Sequence, residues 1–426
     1  MLKNNDFFKT ALCAPLLLAT LVAGTGAAYA QKDEEDSALS LTTRMNPAYD
    51  PVGYKLGDFT LFSGISNTLQ YQDNIYATKE DERSDYVYSV QPNFSLRSNF
   101  VRHSLSAGAF YDEGWYRDLD SENYKDYGAN LGGSLDITGQ TSLPVSLSFQ
   151  REHIRRGSPD DERLSEPTFY KVVNATMSLI HRGQTLAAKI ITGFKRYVYE
   201  NVSGATADLD MGDADRNEYS VYSSIGFNDD AVFSPFVYTR ALQVGYDRAV
   251  DNEGFDKDAF EYEGGVGTIL NISRLTRASF TVGKVHRTID DPAFDDIDGY
   301  AYGVNVTWEP STLMSFLLEG QRAIRESTSN GNSSRIDTSL QLSANYEMFP
   351  NLFIQPSVGV SEQDYQGGQG GKTQSTNGGI SMTYKMNRNL WLSSSYRFNN
   401  QEEKEAAPGI QSYDSNTYSL SLRLQF

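Results

Sequence analysis

The feature that most constrains this chain is a period of two that returns, segment after segment, from about Phe59 to the last residue. In the closing stretch Tyr418, Leu420, Leu422, Leu424 and Phe426 fall on one side of an extended backbone, and Ser419, Ser421, Arg423 and Gln425 on the other. Successive strand side chains point to opposite faces, so each such segment has one apolar and one polar side. Tyr86, Tyr88, Val90, Pro92, Phe94 and Leu96 alternate in the same way with Val87, Ser89, Gln91, Asn93, Ser95 and Arg97. Tyr300, Tyr302, Val304, Val306 and Trp308 do so with Ala301, Gly303, Asn305, Thr307 and Glu309. Helical spacing fits none of them.

The connections between segments are of two kinds, and the kinds alternate. Short ones occur near Ser98-Asn99, Gly139-Gln140, Arg182-Gly183, Asn228-Asp230, Ser273-Leu275, Pro310-Ser311, Pro350-Asn351 and Asn387-Asn389. Long polar ones occur near Lys79-Ser84, Arg117-Asn123, Arg156-Pro167, Asn201-Asp215, Arg248-Lys257, Asp290-Asp298, Ser327-Ser334, Gln366-Lys372 and Glu402-Gln411. Nine long and eight short connections make 17, hence about eighteen strands with both chain ends on the short-turn side. Strands of roughly 11 to 16 residues are long for a sandwich and suit a tilted transmembrane strand. A propeller would repeat as four short strands per blade, and this chain repeats in pairs of long ones. The expected fold is therefore all-β: a transmembrane antiparallel outer-membrane β-barrel of about eighteen strands. Pro92 and Pro356 sit in mid-strand, where a missing N–H disturbs the ladder. Arg240, Arg322 and Lys284 fall on nominally lipid-facing positions, where bulges or register shifts are expected.

The N-terminus reads as a cleaved signal peptide over residues 1–30. Lys3 and Lys9 precede a largely apolar run from Ala11 to Gly24, and Ala28-Tyr29-Ala30 is a small-residue cleavage site. Cleavage there removes Lys3, Lys9 and Asp6, taking the net charge from −18 to −18 − 1 = −19, and removes Cys13, the only cysteine. The mature chain then has no disulfide and no cysteine metal site. Residues 31–57, with the acidic cluster Asp33 to Asp36 followed by Pro47, Pro51 and Gly53, read as a periplasmic extension without a core of its own. The barrel is placed at residues 58–426. No later stretch approaches eighteen consecutive apolar residues, so a helical span is not expected. A mean hydropathy of −0.48 does not contradict a barrel, because half of each strand faces water. The acidity argues against a nucleic-acid partner.

One region carries a family resemblance. From Arg44 the chain reads Arg44, Pro47, Tyr49, Pro51, Gly53 and Gly57-Asp58-Phe59-Thr60-Leu61, then Asp73-Asn74-Ile75-Tyr76. Ser84-Asp85-Tyr86, Gln91-Pro92-Asn93-Phe94 and Tyr124-Lys125-Asp126-Tyr127 follow. This resembles the putative beta-barrel porin 2 family, outer-membrane barrels often associated with exopolysaccharide synthesis and export. The resemblance is most specific from Arg44 to Tyr127 and beyond that is one of strand–loop rhythm. It implies an exit pore for an exported polysaccharide and supplies no functional residues. Asp73-Asn74 reads as a turn cap.

A barrel of this strand number leaves an aqueous channel. The polar strand faces nominate as lumen-lining Gln91, Asn93, Arg97, Asp126, Asn130, Gln150, Glu152, Lys189, Lys195, Glu261, Glu263, Glu319, Gln321, Arg325, Gln341, Asn345, Lys385, Arg397 and Arg423. Such groups can exchange hydrogen bonds with sugar hydroxyls or set ion selectivity, or simply pair across strands. Tyr111, Trp115, Tyr116, Tyr197, Tyr199, Tyr246 and Tyr300 near the long loops, with Trp308, Phe349 and Trp391 near the short turns, fit two aromatic girdles. Tyr116 and Trp391 are the candidates for sugar stacking if they face inward.

Asp208, Asp210, Asp213 and Asp215, and Asp290, Asp291, Asp295, Asp296 and Asp298, could hold Ca²⁺ or bridge ions to lipopolysaccharide, but lack calcium-loop spacing. They read as solvated loops, and no metal or cofactor is expected. Of four histidines, only a His286–Asp290 pair suggests rim chemistry. His153 gains nothing from adjacent Glu152, since neighbours on a strand point apart. No catalytic residue is assigned. The leading expectation is a passive exit channel for exopolysaccharide, against a small-solute porin, a rim hydrolase and a structural or adhesive barrel. Expected partners are outer-membrane lipid and lipopolysaccharide, the barrel assembly machinery, and polysaccharide export components. The closing strand, Tyr418 to Phe426, is expected to be the assembly signal and to pair with the first strand.

Overall fold

The computed structural model describes residues 46, 48–202, 210–328, 332–367, 370–406 and 411–426. The leader at 1–30, residues 31–45 and Asp208 lie outside the described residues. Nineteen strands follow one another: β1 (Tyr54–Leu56), β2 (Phe59–Gln72), β3 (Asp85–Ser98), β4 (Ser104–Tyr116), β5 (Tyr124–Thr138), β6 (Thr141–His153), β7 (Phe169–Arg182), β8 (Leu186–Tyr199), β9 (Arg216–Phe227), β10 (Phe233–Tyr246), β11 (Ala259–Ser273), β12 (Thr276–Ile289), β13 (Ile297–Ser311), β14 (Met314–Glu326), β15 (Asn332–Phe349), β16 (Leu352–Gly367), β17 (Lys372–Lys385), β18 (Leu390–Glu405) and β19 (Tyr413–Gln425). From β2 onward each pairs antiparallel with the next, and β19 returns to β2 from Thr417↔Gln72 down to Gln425↔Gly64. That last pairing closes a barrel of eighteen strands and leaves it without an open edge.

The seam is finished by two small devices. Phe426 and Ser63 exchange backbone hydrogen bonds of 2.8 and 3.1 Å. Below them β2 continues past the end of β19, and its bare edge is covered by β1, with Tyr54 opposite Leu61 and Leu56 opposite Phe59.

The register separates two faces unambiguously. Tyr86, Tyr88, Phe94, Leu131, Val266, Tyr302, Leu420 and their cross-strand partners share the outer face, where large apolar side chains stand exposed: Phe94 at 56 % and Val266 at 54 %. In water such a surface would be a liability; against acyl chains it is the apolar band of a membrane barrel. Tyr418, Leu420, Leu422 and Leu424 lie on it.

The mid-strand prolines cost one ladder each rather than a strand. Pro92 stays paired to Ile65 on β2, while the β3–β4 ladder skips from Val90↔Glu113 to Asn93↔Phe110. Pro356 pairs with Ile380 on β17, and the β15–β16 ladder skips from Ser343↔Ser357 to Tyr346↔Ile354. Each proline lacks the donor for one side only.

Of the three cations expected on the lipid side, one is relocated. Arg240 faces inward, on the face of Glu261 and Glu263, with its guanidinium 3.5 and 3.6 Å from their carboxylates. The alternation of β10 is masked because its inner face carries Phe236, Tyr238, Leu242 and Val244, as apolar as its outer one. Lys284 and Arg322 do face outward, near the long-loop rim, beside Tyr300 and Tyr302.

The buried apolar cluster sits inside the barrel, near the long-loop end. It comprises Leu242, Val244, Ala259, Val285, Ile289, Phe294, Ile297, Ala301 and Ile324, with Ile336 against it. Ile324 joins it because the tip of the β14–β15 hairpin leaves the wall. The β13–β14 ladder stops at Tyr302↔Arg322, whereas β14–β15 continues to Glu326↔Ser334. The tip folds inward and lays what would be its outer face on the inner wall of β10–β13.

Candidate functional site: a crossed lumen

Short connections lie at one end of the barrel and long ones at the other, which by the general rule are the periplasmic and extracellular ends. The inner face carries Gln91, Asn93 and Arg97 from β3, Asp126 and Asn130 from β5, and Gln150 and Glu152 from β6. Lys189 and Lys195 of β8, Glu261 and Glu263 of β11, Glu319, Gln321 and Arg325 of β14, and Gln341 and Asn345 of β15 share it. So do Lys385, Arg397 and Arg423 of β17, β18 and β19.

These side chains do not form one site. Glu261 and Arg287 are almost fully buried in the wall, at 2 % and 1 % exposure, and Glu326 on the tucked hairpin bonds Arg287 at 2.7 Å. Glu152 accepts the Tyr170 hydroxyl at 3.1 Å, and Gln355 donates to Asn345 at 2.6 Å. Those contacts tie strands together, the outcome expected when polar groups leave bulk water.

The dominant feature of the lumen is the connection 154–168 between β6 and β7, which crosses it. In an eighteen-strand ring β15 lies nine strands from β6, half the circumference away. Arg335, on the part of β15 that folds inward with the hairpin tip, holds Asp160 of this loop at 2.5 Å. The Tyr365 hydroxyl of β16 donates to the Pro159 carbonyl at 3.2 Å, and the Tyr413 hydroxyl of β19 to that of Gly157 at 3.2 Å. Near the loop's root, Arg156 makes a bidentate bond to Glu122, 2.8 and 2.7 Å, and Arg163 donates to the Ala77 carbonyl at 3.0 Å. Bidentate charge-assisted bonds are the geometrically specific ones. Gly157 has φ +74°, and a Cβ there would stand 2.6 Å from Ala77 Cβ and 2.7 Å from the Tyr413 oxygen. Only glycine satisfies both the left-handed backbone and the close approach.

Glu162 lies on the same loop. Burial raises its carboxyl to about 7, Asp213 pushes in the same direction, and Lys257 opposes. His153, at the loop's start, bonds Asp126 through Nδ1 at 2.8 Å and stacks on Tyr124 at 4.3 Å. Sequence neighbours concealed that partnership, since the partner comes from the adjacent strand.

A second insert occupies the periplasmic mouth. The Trp391 indole donates to the Tyr49 carbonyl at 2.9 Å, and Lys385, between the rings of Phe353 and Trp391 at 4.7 and 4.5 Å, bonds Asp50 at 2.5 Å. The residues just before β1 therefore dock inside the barrel rim.

The girdle assignment needs revision at five positions. Tyr111, Trp115, Tyr300 and Trp308 stand on the outer face, and Phe349 is exposed at the short-turn end. Tyr116, Tyr197, Tyr199, Tyr246 and Trp391 face inward. Arg216 stacks over Tyr197 at 4.1 Å and bonds the Tyr199 hydroxyl, so these rings serve a cationic wall rather than the membrane interface. His286 is also not paired with Asp290: it lies on the outer face, 3.2 Å from Asp298 and 3.9 Å from Asp296. The acidic loops cap backbone, as where Asp215 accepts the Tyr199 N–H and Asp291 that of Asp256. Asn74, fully buried, donates to the Thr78 and Asp414 carbonyls and accepts the Thr78 N–H. Among the described residues no group of three His, Asp or Glu is placed to hold a metal ion.

The inner wall is chemically lopsided. From the lower part of β15 through β19 to β3 it is surfaced almost entirely by hydroxyl and amide groups. Ser357, Ser361, Ser381, Ser393, Ser395, Asn399, Ser419, Ser421, Thr68, Gln70 and Gln91 are examples. The wall from β8 to β12 instead carries Lys195, Arg216, Glu218, Tyr238, Arg240, Glu261 and Arg287 among apolar residues.

A family model described as putative beta-barrel porin 2 matches residues 46–426. No curated protein matches. Among solved structures, the siderophore receptor PirA from Acinetobacter baumannii is similar at 8 % identity, covering 85 % of this chain and 80 % of its own, TM-score 0.46. OpdK from Pseudomonas aeruginosa with vanillate is 13 % identical over 86 % of this chain and 99 % of its own, TM-score 0.46. OpdO from Pseudomonas aeruginosa is 13 % identical over 87 % and 97 %, TM-score 0.43.

Proposed function

We propose that this chain, which belongs to the putative beta-barrel porin 2 family, is a passive outer-membrane exit channel for an exported polysaccharide. The observation that carries the reading is the hydroxyl and amide wall from β15 to β3. A sugar chain presents a dense array of donors and acceptors, and a wall of neutral groups exchanges bonds with it without trapping it, since each exchange is nearly balanced against water. The barrel contributes the conduit, and force and synthesis come from elsewhere. On this reading residues 1–30 are removed as a signal peptide, residues 31–57 lie on the periplasmic side with their last part docked in the barrel mouth, and residues 58–426 span the membrane. Lipopolysaccharide surrounds the rim, the assembly machinery inserts the barrel, and export components meet its periplasmic mouth. The crossing loop must then swing aside during export. Deleting the protein and measuring extracellular polymer tests the reading: export should fall sharply, and unchanged export would end it.

The loop itself favours a second reading, a porin for small solutes with the loop as a fixed constriction. Purified protein in planar bilayers should then conduct steadily with no other component. A pore whose low intrinsic conductance rises when export components are added supports polymer exit.

A further inference from the structure

We infer that the cargo is an acidic glycan, one bearing carboxylates, and that Arg97, Arg397 and Arg423 form the track that carries it. This inference rests on the polysaccharide reading and deepens it. The three guanidiniums belong to the neutral wall and rise along it in order. Arg97 faces Thr60 near the periplasmic end of β2, Arg423 faces Ser66 farther up the same strand, and Arg397 faces Thr417, farther up β19 than Arg423. They wind up the inner surface across four consecutive strands, β3, β2, β19 and β18.

Their surroundings contain no counter-charge. Arg423 lies over Gly64, where a Cβ would reach within 3.1 Å of Nη2, and neutral oxygens fix it: Gln425 at 2.9 Å, Asn93 at 3.1 Å and Ser66 at 3.4 Å. Arg97 rests over the Phe62 ring at 5.4 Å. Among the described residues no carboxylate makes an ion pair with any of the three. Of the carboxylates that face inward on this wall, Glu403 stands at the long-loop end of β18, beyond Arg397 and Gln401, and two deeper ones are already engaged. Asp337 holds Arg335 at 3.1 Å, and Asp85 accepts the N–H groups of Tyr86, Asp118 and Leu119.

The opposite wall shows what neutralisation looks like here. Arg216 has Glu218 at 3.0 Å, Arg240 has Glu261 and Glu263, and Arg287 has Glu326 at 2.7 Å. A chain with formal charge −18 has carboxylates to spare, yet places none beside these three arginines. Guanidinium held by neutral groups keeps its full field for a passing anion, and its planar fork suits a carboxylate. Spaced single charges, rather than one cluster, let a polyanion hand itself along without a deep trap.

The test uses purified full-length protein in planar bilayers, wild type against the Arg97→Gln, Arg397→Gln, Arg423→Gln triple variant. Probes are an oligogalacturonate and a malto-oligosaccharide of equal length, added on the periplasmic side. In wild type chloride should permeate better than potassium, and the acidic probe should block current at lower concentration than the neutral one. In the variant the chloride-to-potassium permeability ratio should fall about twofold or more, and the acidic block should weaken by roughly tenfold, with the neutral probe unaffected. Equal block by both probes, or a variant indistinguishable from wild type, overturns the inference. Block by neither probe with small-ion conductance intact overturns it through the polysaccharide reading itself, whereas block by the neutral probe alone overturns only the acidic class. Heat-modifiable gel migration checks that the variant is a folded barrel, and Arg397→Gln alone gives the same readouts should the triple variant fail to assemble.

Discussion

The two sides of the lumen solve opposite problems with the same strand geometry. The β8–β12 side behaves like the interior of a folded domain: Val244, Val285 and Ala301 pack against Ile324 of the tucked hairpin, and Arg287 lies dry between Glu261 and Glu326. The β15–β3 side behaves like a protein surface turned inside out between its two anchor zones, with serine, threonine and amide groups lining the stretch between the crossing loop and the N-terminal clasp. The difference teaches that barrel diameter alone does not set the bore. One side is covered by the tucked hairpin, and the other holds its inserts only at its two ends, the crossing loop near the long-loop rim and the N-terminal segment at the mouth, leaving the neutral stretch between them as the path.

That division can be broken from the insert side first. Replacing residues 157–163 by a short glycine–serine link should give the largest effect, a severalfold rise in single-channel conductance with the barrel intact. Arg335→Ala should come next. It leaves Asp160 without its partner, costing about 2 kcal/mol of loop docking once the partial exposure of Asp160 is allowed for, read as protease sensitivity within the loop. Gly157→Ala should cost about 1 to 3 kcal/mol from the left-handed backbone and the Tyr413 contact, with noisier, larger conductance.

A pH dependence follows from Glu162. Its docked carboxyl titrates near 7, above the ordinary glutamate value, so the docked loop binds the extra proton. Docking is strongest below the ordinary value and weakens as pH rises through about 7. Conductance should therefore grow between acid and mildly alkaline pH, and Glu162→Gln should flatten that response. The smallest effect belongs to the neutral wall: Ser419→Ala with Ser421→Ala should change stability by less than about 0.5 kcal/mol and leave small-ion conductance unchanged. A large effect there would mean the wall is structural, and the contrast between the two sides would collapse.

How far the sequence could be read follows the same division. On β3, β13 and β19 the alternation names the outward residues directly, because one face is apolar and the other is not. On β10 it failed for Arg240, since Leu242 and Val244 on the inner side pack against an insert and remove the contrast. Tyr197, Tyr199 and Tyr246 misled for a related reason: an aromatic near a strand end serves equally for a membrane interface or for stacking an arginine. The crossing loop carried no periodic signal at all. Its anchors, Arg335, Tyr365 and Tyr413, lie 175, 206 and 256 residues from their partners in the chain, and no local pattern encodes such distances.

The clasp at the periplasmic mouth also has a consequence for the order in which the molecule can be made. Tyr49 and Asp50 meet Trp391 and Lys385 across 342 and 335 residues of sequence, among the most non-local contacts in the chain. Closing so long a span is entropically expensive until the intervening hairpins have formed in series. The first strand must wait through that interval with a naked edge. The three-residue β1, folded back on β2 by a purely local turn, shields the lower part of that edge from the start. The clasp then acts as a late lock, engaging only once β17 and β18 exist, so that an incompletely built barrel is also an unlocked one.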